Sequence, residues 1–534
     1  MNDQYQDDSQ RLADSHSLQR YMAALSDLWA ASQYSAAALS RYTNELLIPY
    51  LIATNYFKDV EFAQSPQKPV WRTFEEYLGL WNFNLQIWQR SLQGSLEALR
   101  RYSSTATEPK DFLWASFFNK DREGFEALLR NKAKLAEMLA VKYPQAIAAI
   151  EPEYGFHFER GFDKLVAETD RFLLYQIAPT DKKVKTRRSA KPLLILPPYV
   201  LGANILGFLP GENRSYAHSY ANQGVPTYIR ILKDISTTPA LQVMTGEDDA
   251  RDTRLFCETI KKNHRKAVTL NGYCQGGFSA LCNLLSGELD GLVDAFITCV
   301  APMDGTRSQG LAGFLNRLPQ RFNNLAYGTK TLPNGNKVAD GKLMGWVYKL
   351  KSIANEAPIA AFYRDLMMFA RQATPDLQVS KTAAALNYWL NNERNDLPLE
   401  ITKMSFASYS TPISDDGTLP VKLFGRKLQL ERLKAKKIPW LICYGEHDDL
   451  VEKATALAPT DYVNAEVTPF PKGHVAMATS WSDPDSACAL HTRFGKGNWR
   501  GPVRFQLDLD KPKAPKRKPP KKTAKKKQAV KTKK

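Results

Sequence analysis

The hydrophobic pattern of the chain changes its period once, near residue 190. From about Ser17 to Tyr175, apolar residues recur at intervals of three and four, as in "FEEYLGLWNFNLQIWQRSLQGSLEALRRY" (Phe74–Tyr102) and "REGFEALLRNKAKLAEMLAVKY" (Arg122–Tyr143). That spacing predicts amphipathic helices. The aromatic stripe Tyr77, Trp81, Phe83 and Trp88 lies at helical spacing, which favours core or helix–helix contact over a surface for lipid or polymer. Beyond the charged linker "DKKVKTRRSAK", short apolar runs alternate with helical stretches. The runs Leu193–Leu196, Pro226–Leu232, Ala267–Asn271, Ala295–Val300, Pro439–Tyr444 and Ala465–Phe470 predict strands. "ENRSYAHSYANQG", closed by Gly224, and "EDDARDTRLFCETIKKN" predict helices between them.

This alternation predicts a doubly wound, mostly parallel sheet. About 130 residues separate "CVAPMDGTRS" from "KKIPWLICY", too many for a plain crossover, and they predict a helical cap. Its helices are expected at "MGWVYKLKS", "IAAFYRDLMMFARQ" and "TAAALNYWLNN". The expected organisation is a helical N-terminal region over 1–180, an α/β core over 181–304 and 430–510, a cap insertion over 305–429 and a basic tail over 511–534.

The candidate chemistry sits at "NGYCQGG" (Asn271–Gly277). A Gly-x-nucleophile-x-Gly turn between a strand and a helix holds its central residue, here Cys274, in a strained backbone conformation above the sheet. The N–H of Gln275 then opens a helix, where partial positive charge stabilises a thiolate or an oxyanion. A buried structural cysteine at a tight turn is the plainer alternative. A thiol nucleophile needs a base and a group that orients the base. The chain has 7 histidines. His16 and His157 precede the sheet, and His218 and His264 fall in helices ahead of the elbow. His447 stands where the acid belongs, and His491 lies well past the last strand. His474, in "PFPKGHVAMATSW", follows the last strand by a short turn and is the expected base. "CYGEHDDLV" supplies Asp448 and Asp449 for the acid; the spacing to Leu450 and Val451 favours Asp448, and either could instead cap the next helix. A second oxyanion donor is expected from "LPPYVLG", where proline has no N–H and Tyr199 or Val200 must donate.

Composition narrows the setting. With 534 residues and 43% hydrophobic content the chain can fill a large core. Its 6 cysteines form no C-x-x-C pair, which argues against a disulfide framework or a metal site and suits a reducing cytoplasm. The polar start "MNDQYQDDSQ" does not read as a signal peptide, and Pro197 and Pro198 interrupt the longest uncharged run, so no transmembrane helix is expected. The net charge of +18 is concentrated at the end, where residues 511–534 hold thirteen Lys and Arg and no acid. Such a segment solubilises the chain or contacts DNA or an anionic surface.

Together these residues resemble the polyhydroxyalkanoate synthases, cysteine-nucleophile polymerases of α/β-hydrolase fold. The match lies in the Gly-x-Cys-x-Gly-Gly box at Gly272–Gly277, the segment "PLLILPPYV", and the turns at Asp448 and His474. Looser matches cover "LLYQIAPT" and "NYWLNNERNDLP". The resemblance implies that Cys274 carries the growing acyl chain, His474 activates thiol and hydroxyl, and Asp448 orients His474. It implies 3-hydroxyacyl-CoA as substrate, a polyhydroxyalkanoate granule as the product surface, no cofactor, and an open question of homo-oligomerisation. An intracellular depolymerase or thioesterase with the same three residues is the alternative, since "CVAPMDGTRS" is similar to a depolymerase turn. A non-catalytic granule protein tethered to nucleic acid by its tail is the third.

Overall fold

A computed structural model describes residues 2–105, 122–316, 325–372, 376–507 and 509; the basic tail expected over 511–534 lies outside them. The chain opens with helices α1 (Asn2–Gln64), α2 (Val70–Thr105) and α3 (Arg122–Glu137). Pro66 and Pro69 separate the first two, because proline removes the donor and the space that a continuing helix needs.

An eight-stranded sheet follows, built from β1 (Lys164–Glu168), β2 (Phe172–Ile177), β3 (Leu193–Leu196), β4 (Thr227–Leu232), β5 (Val268–Tyr273), β6 (Val293–Cys299), β7 (Trp440–Gly445) and β8 (Glu466–Phe470). Their order is β1-β2-β4-β3-β5-β6-β7-β8. β1 and β2 pair antiparallel at one edge, β2 runs antiparallel to β4, and all later neighbours are parallel. β3, β5 and β7 are buried throughout, as strands covered on both faces must be, and this is why they read as continuous apolar runs. Helix α4 (Gly246–His264) starts in a capping box between Thr245 and Asp248, and α5 (Gln275–Ser286) runs fully buried from the end of β5. With the elbow after the fifth strand, this is the α/β-hydrolase fold.

Between β6 and β7 the chain builds the cap from α6 (Gly341–Lys351), a short turn at Ile353–Glu356, α7 (Pro358–Ala370), α8 (Lys381–Asn392) and α9 (Leu399–Ser410). The cap is not wholly helical. Thr329–Thr331, Lys337–Ala339 and Leu397–Pro398 form a small sheet, and Thr418–Leu423 pairs with Arg426–Gln429 as a hairpin. The N-terminal helices clamp the cap from outside: Tyr42 of α1 donates to Asp365 of α7 (2.6 Å), and Arg90 of α2 donates to the Lys351 carbonyl (2.7 Å). At Gly94 any Cβ would collide with the backbone of Ala354, so glycine sets how closely α2 lies on the cap.

The helical pattern expected up to Tyr175, and the helical region expected over 1–180, end earlier than that, because β1 and β2 already belong to the sheet. β1 is an edge strand with no fully buried residue, so its apolar pattern is weak. A turn at Thr169, whose Oγ1 accepts from the Arg171 and Phe172 N–H groups, joins it to β2.

Beneath the elbow lies a buried ion pair, Arg230 of β4 with Asp249 of α4. Asp249 also accepts from Ser279 and from Asn283 (3.1 Å) of α5, while Arg230 donates to Thr253 (2.6 Å) and to the Tyr199 hydroxyl (3.0 Å). One network thus ties β4, α4, α5 and the loop after β3. Removing one partner of such a pair strands a charge in the core, which costs about 3–5 kcal/mol, whereas replacing both with apolar residues is far milder. Asp249→Ala is therefore expected to lower the urea midpoint sharply, and Arg230→Met/Asp249→Leu to recover most of the loss. An unchanged midpoint for Asp249→Ala would remove the pair from this role.

Candidate active site

Cys274 follows β5 directly and has φ 51° and ψ −125°, a conformation that L-residues rarely adopt. Glycine makes it possible. A Cβ on Gly276 would collide with the Leu196 carbonyl, and one on Gly272 with the backbone of Gly277, so any larger residue would push β3, β5 and α5 apart. The Cys274 N–H donates to the Cys299 carbonyl (2.9 Å), and its own carbonyl accepts from Gly277 (2.8 Å). The turn is pinned at both ends and its side chain is buried.

The acid and base turns leave β7 and β8, which are parallel neighbours, and so rise at the same edge of the sheet. His474 Nδ1 lies 2.8 Å from Asp448 Oδ2. The other carboxylate oxygen of Asp448 accepts from the N–H groups of Leu450 and Val451, each at 2.9 Å, which fixes its orientation. Asp449 points away and pairs with Lys351 of the cap (3.1 Å). The Tyr273 hydroxyl donates to the His474 carbonyl (3.0 Å) and holds the base turn against the elbow strand. Burial works to lower the His474 pKa, but the Asp448 carboxylate and the Cys274 thiol outweigh it and hold the ring well above its ordinary value. His474 Nε2 is buried with no partner in hydrogen-bond geometry. It is the nitrogen left for proton exchange once Nδ1 is committed to Asp448.

Of the two candidate donors in the loop after β3, Val200 directs its N–H at the Gln275 side-chain oxygen (3.0 Å). That amide oxygen occupies an acceptor position between Val200 and the start of α5, so an oxyanion bound there would displace it. The loop is braced from the cap by residues that sequence reasoning did not single out. Asn395 donates through its side chain to the Tyr199 carbonyl and through its backbone to the Val200 carbonyl, both at 3.0 Å, and Trp389 Nε1 donates to the Leu201 carbonyl (3.0 Å). Their signal was "NYWLNNERNDLP", noticed for its resemblance but without a partner. Two further phenols were also missed. Tyr348 of α6 is half-buried and Tyr409 of α9 is buried, and burial first, then the nearby Cys274, pushes both pKa values up. They stay protonated and bring O–H groups to the thiol's surroundings. Among the described residues no group of three or more His, Cys, Asp or Glu could hold a metal, and no helix is long and apolar enough to cross a membrane.

No family model and no curated protein matches the chain. Solved structures do. A carboxylesterase of the thaumarchaeon Nitrososphaera gargenis is 14% identical with a TM-score of 0.33, over 59% of this chain and 92% of its own. A carboxylesterase of Bacillus subtilis is 13% identical with a TM-score of 0.31, over 64% and 93%. A 2-hydroxy-6-oxo-6-phenylhexa-2,4-dienoate hydrolase of Rhodococcus sp. strain RHA1 is 12% identical with a TM-score of 0.32, over 60% and 94%. The fold assignment rests on strand order and elbow, not on these likenesses.

The raised His474 pKa has a consequence for stability. Below the ordinary histidine value of about 6.5, the folded ring and the unfolded ring are both protonated, and the contact with Asp448 contributes fully; as pH climbs through the raised folded value, that contribution is lost. Asp448→Asn is expected to lower the melting temperature most near pH 6, with the gap to wild type narrowing in alkali. A gap that widens with pH would contradict the ion pair.

Proposed function

We propose that the protein is an enzyme of acyl-group transfer that works through a thioester on Cys274. The observation that carries this reading is the Asp448–His474 contact, with its free Nε2, raised beside a strained cysteine elbow. In the reaction, the Cys274 proton rests on His474 Nε2, which the Asp448 carboxylate favours, and the thiolate attacks a thioester carbonyl. The N–H groups of Gln275 and Val200 meet the oxyanion, and the CoA sulfur leaves with the proton from His474. A hydroxyl then gives its proton to His474, attacks the acyl-cysteine, and the thiol is restored. Thiolate attack on an acyl-CoA exchanges one thioester for another at little cost, and the product stays reactive toward an alcohol, which a serine ester would not.

The finer reading is polymerisation. A 3-hydroxyacyl-CoA supplies both the acyl group and the next hydroxyl, and chain growth on Cys274 would yield a polyhydroxyalkanoate, with the protein in the cytoplasm at the granule surface. Support comes from the motif resemblance and from a site covered by cap residues, which limits competition by water. Hydrolysis of an ester or thioester is the second reading. It uses the same three residues with water as acceptor and draws on the fold itself, which is that of many esterases.

Incubation with 3-hydroxybutyryl-CoA separates them. The synthase reading expects CoA release with oligomer or polymer in the product, abolished in Cys274→Ala and lowered by a factor on the order of 10³ in Asp448→Asn but little changed in Asp449→Asn. Free 3-hydroxybutyrate with nothing longer would move the function to hydrolysis. No CoA release, and no acid liberated from amorphous polymer, would defeat both.

A further inference from the structure

One side chain of the cap grips the acid turn from outside, and the chemistry at Cys274 does not yet account for it. Lys351 closes α6, and its carbonyl accepts from Arg90 of α2. Beside it Leu350 and Ile353 pack with Phe83 of α2 and with Phe314, which fixes the backbone from which the lysine leaves. The aromatic stripe expected to be core or helix–helix contact is split at this point: Phe83 is buried in the cluster, while Trp81 and Trp88 are exposed. The Lys351 side chain turns inward and is only 9% exposed. It passes Gly310, where a Cβ would come within 3.3 Å of its Cε and 3.2 Å of the Asp449 carbonyl oxygen. Glu452 holds that glycine in place by accepting from the Gln309 (3.1 Å) and Gly310 (2.6 Å) N–H groups. At the end of this slot the ammonium donates to the Asp449 carbonyl.

The plain reason for such a lysine would be its ion pair with the Asp449 carboxylate (3.1 Å), and that reason is weak. The Asp449 side chain is 80% exposed, and a pair with one member in water contributes little. The contact inside the protein is the one to the carbonyl. That carbonyl shares its peptide group with the Leu450 N–H, which donates to Asp448 Oδ1 (2.9 Å). In a planar trans peptide the C=O and N–H point in opposite directions, so the group can bridge a donor on one side and an acceptor on the other. Lys351, the peptide and Asp448 therefore form one chain, from ammonium to carbonyl and from N–H to carboxylate. A cation on the amide oxygen draws electron density from the nitrogen and makes the N–H a stronger donor, as successive hydrogen bonds polarise one another. The carboxylate that receives this bond holds His474 through its other oxygen (2.8 Å).

We infer that Lys351 is a positioning residue for acyl transfer, acting on Asp448 through the Asp449–Leu450 peptide. The inference rests on the Cys274–His474–Asp448 reading, and its test keeps the two apart. Single-turnover acylation of Cys274 by 3-hydroxybutyryl-CoA, read by mass, remains measurable in slow variants. Lys351→Met keeps the stem in its slot but removes the ammonium; it should lower the maximal rate about 10-fold and leave the half-saturating concentration within about twofold, because the residue acts through another group. Lys351→Gln should lose as much and serves if the methionine variant does not fold. Lys351→Arg restores a cationic donor and should recover most of the rate. In an Asp448→Asn background the relay ends on a group that has already lost its charge, so adding Lys351→Met should cost less than about twofold, whereas a residue that merely supports the fold would cost the same factor in both backgrounds. A wild-type rate in Lys351→Met, a full further loss beside Asp448→Asn, or an equal loss in Asp449→Asn would overturn the inference and leave the acyl-transfer reading standing. No acylation of Cys274 in the wild-type protein would overturn it together with that reading.

Discussion

The site depends on one backbone conformation, the positive φ of Cys274. A residue held there is strained by about 1–3 kcal/mol and persists only where the surroundings over-determine it. Three sets of contacts do so. Gly272 and Gly276 let β3, β5 and α5 close around the turn, the Cys274 N–H is taken by β6, and the Arg230–Asp249 network fastens α5 to β4 and α4 from below. The sheet order then does the rest, since β7 and β8 deliver Asp448 and His474 to the same edge.

Electrostatics and enclosure follow from this placement. Asp448 is satisfied by two backbone donors as well as by His474, so it acts as a fixed negative charge against which the ring orients. The cap adds protonated phenols and, through Asn395 and Trp389, sets the loop that presents Val200. The N-terminal helices in turn hold the cap, by Tyr42 on Asp365 and by α2 on the Ile353–Glu356 turn. Position is thus relayed from the outer helices through the cap to the loop after β3, while the elbow is fixed from within the sheet.

How much of this could be read from the sequence depended on whether each signal was local. The six runs read as strands are strands, shifted by up to two residues, because a strand buried on both faces must be apolar throughout. The elbow was legible because its glycines are adjacent to the cysteine they serve, and Asp448 and His474 because each lies a few residues beyond a strand end. β1 and β2 were missed where a half-exposed hairpin resembles a helical pattern over a short window. Arg230 with Asp249, and Asn395 with Tyr199, were invisible because the partners lie far apart in the chain and no local rule links them. The apolar stripe on α2 was visible, but the sequence alone could not tell which of its residues the cap would cover.

The central claim is that this constellation makes a covalent acyl-enzyme at one residue. Peptide-level mass spectrometry after rapid quench with 3-hydroxybutyryl-CoA tests it most directly. The account predicts a hydroxybutyryl mass increment on the peptide containing Cys274, sensitive to hydroxylamine, absent in Cys274→Ala and slow to form in His474→Ala. An increment on another residue, or turnover of the CoA ester by Cys274→Ala at the wild-type rate, would contradict it.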